Sequence, residues 1–364
     1  MRDSETLIVG AGVAGLLTAV RLADAGHAVR IVEARERVGG RCFGTDEGGL
    51  HVDLGASWHW SEHKRVPLLL EKLNLERLRQ REPGIAVYEP HRDRPVQHFQ
   101  WPETPPPSWR IRGGTQAIAQ ALNDQIPGRV HLGHRVTDVR RENHGIRATT
   151  VQSNGEITTV TAKRVVCAMP PRLAAHAVTF IPDLPPRLKA ALQQTPTWMS
   201  HSLKAAVVYD YPFWLEDGLA GRVRSLAGPV NDWHDASPPD ALQEGASGAL
   251  LGFGMPRAFQ EHSEQENRAA ITAQLIHCFG SKASNPLSVR WLDWSADPAT
   301  TPASGSACRG EHPASVSQLA EPCWDGRLLF AAAETAQEHP GYLDGAIESA
   351  KRVARHVINA NKQA

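Results

Sequence analysis

Gly10, Gly12, Gly15 and Glu33 carry the first chemistry that the spacing of this chain suggests. In Gly10-Ala11-Gly12-Val13-Ala14-Gly15 the first glycine permits a tight turn, the second lets an anion approach the backbone, and the third lets a helix pack closely on a strand. Glu33 follows Gly15 by eighteen residues, where a carboxylate can accept protons from both hydroxyls of a ribose. A pyrophosphate on a helix N-terminus and a ribose on a carboxylate together describe a bound dinucleotide, and the charge of Glu33 disfavours a 2′-phosphate.

The elements that must position these residues are readable around them. Thr6 to Val9 is a β-branched and apolar run, expected as a strand, and Leu16, Ala19, Val20 and Ala23 fall on one side of the helix that follows. Gly26 ends that helix, and His27 to Val32 reads as a second strand that delivers Glu33 at its C-terminal end.

Beyond this unit the run Glu33-Ala34-Arg35-Glu36-Arg37-Val38-Gly39-Gly40-Arg41 resembles the extension that follows the Rossmann unit in flavoprotein oxidases. The resemblance implies FAD, with Ala34, Arg35, Gly40 and Arg41 beside it, the paired glycines crossing near the pyrophosphate and Arg41 helping to hold it. Asp53-Leu54-Gly55-Ala56-Ser57-Trp58 resembles the segment that runs under the isoalloxazine ring in the flavin amine oxidase family, where Gly55 and Ala56 have too little side chain to block the ring. The C-terminal part is similar to the same family: an expected strand Arg327 to Ala332, then Glu334-Thr335-Ala336, then Gly341-Tyr342-Leu343-Asp344-Gly345-Ala346 opening a helix. Trp109 to Leu122, with Gly113-Gly114 before a helix, and Arg135 to Pro171, carrying Val136 and the strand Val165 to Ala168, resemble its two intervening cofactor segments.

The fold implied is α/β, a Rossmann-type FAD-binding domain interleaved with a smaller α+β substrate domain. The expected boundaries are 1–65, 109–185 and 290–364 for the FAD-binding domain, and 66–108 and 186–289 for the substrate domain. Pro102 to Pro107 and Pro182 to Pro186 fit two of the junctions, and Thr300 to Ser317 reads as a surface loop near the cavity mouth. Two departures stand out: Ala332 and Ala333 occupy the strand end where the family usually has a glycine, and the chain is short, so a reduced lid or a more open cavity is expected on the substrate side.

The resemblance also assigns the chemistry. Lys204, on the expected strand Ser202 to Tyr209, with Tyr209 and Phe213-Trp214 beyond it, matches the lysine that binds a water at flavin N5. Tyr342 matches the aromatic wall against the flavin face through which an amine approaches, Trp58 lies in the segment under the ring, and Trp294 matches a tryptophan beside the flavin. Glu334 and Leu343 complete the expected cofactor contacts. Animal monoamine oxidases have Cys-Tyr near the place where this chain has Cys308-Arg309, so the second cage wall is expected to be incomplete. Cys308 is a place where flavin could attach; a plain thiol and non-covalent FAD are the expectation. His59 and His63 lie near Trp58 but have no identifiable acidic partner as catalytic bases, and Arg65 is the nearest candidate for a substrate carboxylate.

Composition narrows the classes. Lys plus Arg and Asp plus Glu are 39 each, so no electrostatic reason points to nucleic acid. Apolar stretches such as Leu328 to Ala333 are too short to span a membrane, and no basic-then-apolar leader is seen, so the expectation is a cytoplasmic protein. Five scattered cysteines without a CxxC pair argue for reduced thiols rather than a disulfide framework or a zinc site. No metal-ligand set, Ser-His-Asp order or paired carboxylates stand out.

The expected reaction is hydride transfer from the carbon next to an amine to flavin N5, giving an imine and then, with oxygen, hydrogen peroxide. A small-molecule amine and oxygen are the expected partners, and a homodimer is admitted. The alternatives from other classes are a flavin desaturase or oxidase of a biosynthetic intermediate, and a non-enzymatic flavin-binding protein.

Overall fold

Thr6, Leu7 and Ile8 are buried on both faces of a sheet, as an apolar run without alternation demands. The computed structural model describes residues 4–82, 84–102, 106–239, 241–242, 246–302 and 311–362. In it the Ser4–Val9 strand lies between Val29–Val32 and Ile157–Cys167, parallel to both. The sheet continues through Gly145–Gln152, His134–Glu142 and Thr179–Ile181 on one side and Val130–His131 on the other, while Leu328–Phe330 pairs in parallel with the end of Ile157–Cys167. Residues from both ends of the sequence therefore meet at its centre.

Two helices close one face of this sheet. Leu16, Ala19 and Val20 of Val13–Asp24 pack in one core with Ile347, Ala350, Val353, Ala354 and Val357 of Leu343–Lys362. Steps of three and four residues put those positions on one side of each helix. The expected strand from His27 starts only at Val29, because the His27 N–H still bonds back to Leu22 O and completes the helix end. Likewise the strand expected from Arg327 to Ala332 is confined to Leu328–Phe330, since Ala332 enters a turn in which Thr335 Oγ1 donates to Ala332 O.

A second sheet runs in the order Ser288–Asp293, Leu203–Tyr209, Gly248–Gly254, Val230–Asp235, Leu219–Ser225, Gly84–Glu89, Gln97–Trp101. Leu203–Tyr209 is buried along its whole length, and its alternation divides the work. Leu203, Ala205 and Val207 share a core with Ile271 and Leu275 of the Glu264–Phe279 helix, whose start is fixed by a capping box between Ser263 and Glu266. Ala206 and Val208 face the other way, against Val52 and Leu54. Lys204 shares that second side, so the pleat alone aims it at the chain that follows the first sheet's dinucleotide turn.

No helix among the described residues is long and apolar enough to cross a membrane.

Candidate active site

A cavity of about 640 Å³ runs between the two sheets. At one end, Gly10, Gly12, Ala14 and Glu33 line it. A β-carbon on Gly15 would strike Gly10 O, which is the close helix-to-strand packing expected of that position, and Gly15 lies behind the wall. Gly12 has the opposite character: a β-carbon there would meet nothing within 4 Å, so the helix N-terminus opens directly onto the cavity. The Glu33 carboxylate is fixed from behind, with Oε2 accepting from Ala11 N at 2.7 Å and Oε1 from Arg35 N at 2.9 Å. Arg35 turns its Nη2 to Asp297 Oδ2 (2.6 Å) and Thr300 Oγ1 (2.8 Å). Ala34, Arg35, Gly40 and Val136 complete this end.

Farther in, Arg41 and Ala56 form the floor. Both terminal nitrogens of Arg41 donate to the fully buried Glu334, so Glu334 is outside the lining and acts through Arg41. Gly55 lines the cavity, but its lack of a side chain has a nearer cause than ring clearance, since a β-carbon would run into Arg41 O. Trp294 is anchored by donation from Nε1 to Leu54 O at 2.8 Å. Trp58 is held by donation from Nε1 to Gln80 Oε1 at 2.7 Å.

Lys204 is buried, and its Nζ donates to Gly55 O at 2.8 Å and to Ser57 Oγ at 2.6 Å. The ammonium lies 4.9 Å from the Trp58 ring centroid and 4.8 Å from that of Phe253. Burial pulls its pKa down to about 8 against the opposing charge of Asp53. Asp53 is itself buried, and its carboxyl is pushed up by desolvation although Lys204 and the Thr115 N–H (2.9 Å) favour its ionised form.

Tyr342 and Leu343 line the wall reached by the last helix. Trp198 packs edge-on against Tyr342 with ring centroids 4.5 Å apart and planes at 69°, and both rings line the cavity. His63, His312 and Trp60 pack around the same ring. Cys308 and Arg309, the other candidates at this place, lie outside the described residues.

The cavity thus gathers Lys204, Tyr342, Trp58, Trp294 and the dinucleotide residues into one lining, with Ala332 and Ala333 at the strand end. Three sequence candidates fall elsewhere. His59 stacks on Trp109, has neither ring nitrogen bonded among the described residues, and is pushed down by burial to about 4, so it is a neutral packing residue. His63 serves as a ring neighbour of Tyr342. Arg65 donates to Asp344 and Glu338 and is committed to that network rather than to a substrate carboxylate. Sequence reasoning missed Trp198, Phe253 and Gln80; the only local signal was Trp198 just ahead of the lysine strand.

The lining fits FAD. Gly12 opens a helix terminus to the pyrophosphate, Glu33 presents a fixed carboxylate to the ribose, and the remainder is mostly apolar and aromatic with a few placed polar groups such as Lys204, as an isoalloxazine site requires. Among the described residues no group of His, Cys, Asp or Glu could hold a metal ion.

Comparison with known proteins agrees with this geometry. The family model for flavin containing amine oxidoreductases matches residues 13–108 and 96–358. A Mycobacterium tuberculosis protein named as a flavin-containing monoamine oxidase is 33% identical over 254 residues, 68% of this chain and 52% of that one. An L-amino acid dehydrogenase of Synechocystis is 22% identical over 97% of this chain and 94% of its own. The chain spans about half the length of the first of these curated relatives. Among solved structures, putrescine oxidase superposes with a TM-score of 0.79 at 22% identity, covering 98% of this chain and 99% of that one. Cyclohexylamine oxidase from Brevibacterium oxydans gives 0.80 at 19%, covering 99% and 100%. These two likenesses establish the fold.

Proposed function

Since the chain belongs to the family of flavin-containing amine oxidoreductases, we propose that it is an FAD-dependent oxidase of a small-molecule amine, releasing an imine and hydrogen peroxide. The observation that carries this reading is Lys204, a buried ammonium with two of its three N–H bonds spent on Gly55 O and Ser57 Oγ and the third left for the cavity. Such a donor is suited to holding a water and to countering the negative charge that develops when oxygen is reduced.

Non-covalent FAD, when bound, supplies the electron sink for the hydride leaving the carbon next to nitrogen. Glu33 and Gly12 hold the dinucleotide end, Arg41 the pyrophosphate, and Val136, Leu343 and Trp294 the remainder, with Gly10 and Gly15 shaping the turn. Ala14, Ala34, Arg35, Gly40, Ala56 and Ser57 bring backbone and small side chains close to it. Tyr342, with Trp198 packed edge-on against it, offers the amine an aromatic surface and keeps water from it. Trp58, fixed by Gln80, closes the opposite side. The N-terminus of Leu343–Lys362 directs its positive end toward the flavin. In this reading the residues around the first sheet form the FAD-binding unit and those of the second sheet the substrate unit. Location in the cytoplasm belongs to the same reading, supported by unpaired, buried Cys42, Cys167, Cys278 and Cys323.

The test is to mix the yellow holoenzyme anaerobically with a panel of amines, follow bleaching of the flavin, and then admit air and measure peroxide. Bleaching by at least one amine with stoichiometric peroxide is expected. Bleaching without peroxide would point to a dehydrogenase, and no bleaching by any amine would overturn the reading.

A further inference from the structure

A row of side chains leads away from Lys204 across the second sheet. Lys204 is paired in register with Phe253, Phe253 with Asp232, and Asp232 with Arg224. Arg222, two residues along the same strand, points to the same side as Arg224 and lines the cavity. The Leu219–Ser225 strand is three places from Leu203–Tyr209, so Arg222 stands about 14 Å from the lysine strand at roughly 4.8 Å per step. Rings bridge the interval: His234 lies 5.2 Å from Trp58 and 6.3 Å from Phe253 between centroids.

Arg222 differs from Arg35, Arg41, Arg65 and Arg110 in having no hydrogen-bonded protein partner among the described residues. Its Cζ sits 3.8 Å from the centroid of the Trp101 ring. Among the described residues it makes no hydrogen bond or ion pair, and its Nε is buried without an acceptor. The carboxylates nearby are engaged: Asp232 lies 3.5 Å from Arg224 Nη1 and 3.6 Å from His234 Nε2, and Glu82 accepts from Ser108 Oγ at 2.8 Å. Arg35, Arg41, Arg65 and Arg110, by contrast, are all spent on protein oxygens. Burial depresses the pKa of Arg222, while the charges of Asp232 and Glu82 oppose that shift.

We propose that Arg222, clamped on Trp101, binds the carboxylate of an amine substrate whose acid group lies at the far end of the molecule from the carbon that is oxidised. This rests on the amine-oxidation reading and deepens it. A flat guanidinium meets two carboxylate oxygens with two parallel hydrogen bonds, which an ammonium cannot do. An α-amino acid does not fit, because its carboxylate is two bonds from nitrogen and cannot span the Trp58–His234 interval. An ω-amino acid with an extended chain does. The rival occupant is a diamine, whose distal ammonium would seek Glu82 at the same end of the cavity.

The experiment uses the holoenzyme with ω-aminohexanoate and ω-aminooctanoate, the alkylamines of equal length, and the matching diamines. The aminoalkanoates are expected to exceed the alkylamines in kcat/KM by about tenfold or more, carried mainly by KM. Arg222→Gln should abolish that preference, and Arg222→Lys should retain part of it. A readout independent of turnover is the rise in melting temperature of the holoenzyme with octanoate, expected for the unmutated protein and for Arg222→Lys and absent for Arg222→Gln. Equal use of octylamine and aminooctanoate, or a preference for diaminooctane, overturns the carboxylate site while leaving amine oxidation in place. Arg222-dependent binding of octanoate with no amine oxidised would instead keep the anion site and remove the reaction.

Discussion

Arg41 and Glu334, 293 residues apart in the chain, form a bidentate pair with Nη1–Oε1 at 2.6 Å and Nη2–Oε2 at 3.0 Å. The carboxylate is fully buried, whereas the arginine side chain keeps 28% of its surface toward the cavity. Removing the arginine leaves a buried charge without its partner, which typically costs about 3 to 5 kcal/mol. Arg41→Met is therefore expected to lower the melting temperature even of FAD-free protein, and Glu334→Gln to do so less. Calorimetry of the apoprotein checks this; a melting point unchanged in Arg41→Met would mean that the pair is dispensable to the fold.

Lys204 makes three predictions from one group. Burial holds its pKa at about 8, so Nζ is charged below that pH and loses its charge above it. If that charge assists oxygen reduction, reoxidation of reduced flavin should slow as pH rises through about 8, with substrate-driven reduction changing less. The unfolded chain keeps a lysine protonated to about pH 10.4, so this side chain makes stability rise with pH between about 8 and 10.4. Lys204→Met should cost tenfold or more in reoxidation, in line with about 2 to 4 kcal/mol for one preorganised charge. Stopped-flow absorbance separates the two half-reactions, and identical rates in both would remove Lys204 from the chemistry.

Glu33→Ala deletes the acceptor of the Ala11 and Arg35 N–H groups as well as the proposed ribose contacts. A loss of about 2 to 4 kcal/mol in FAD binding is expected. The FAD-to-protein ratio after dilution and gel filtration measures it, and full retention would count against the assignment.

Trp198→Ala removes the ring packed edge-on against Tyr342. A loss of about three- to tenfold in kcat/KM for amines is expected, the size of an aromatic contact to an amine nitrogen, with Trp198→Phe largely restoring it. A fall in flavin content instead would show that Trp198 holds the cofactor and not the substrate.

What the sequence revealed divides along chain separation. The strand, glycine turn, helix and Glu33 are neighbours in sequence, each governed by a local rule, so their geometry could be written before any coordinates. Lys204 was legible through the resemblance of its strand, with Tyr209 and Phe213-Trp214 beyond it, to the lysine strand of the family, and the pleat accounts for the side it takes. Trp198 and Phe253 were not, since their contacts with Tyr342 and Lys204 depend on how distant segments meet. Gly55 was identified for an incomplete reason: the oxygen that excludes its side chain belongs to Arg41, outside the segment that suggested it. Arg222 could not be distinguished from any strand arginine until the partners of its neighbours were known.

The shared core of Val13–Asp24 and Leu343–Lys362 has a consequence for how the protein is made. The dinucleotide turn is synthesised first, but the helix behind it cannot bury Leu16, Ala19 and Val20 against their partners until residues beyond 343 have left the ribosome. At roughly 5 to 20 residues per second that interval lasts about 15 to 60 s. Through it that helix face has only the earlier members of the same core, among them Ile118, Ala119 and Leu122, to pack on, so completion of the dinucleotide-binding layer waits for Leu343–Lys362.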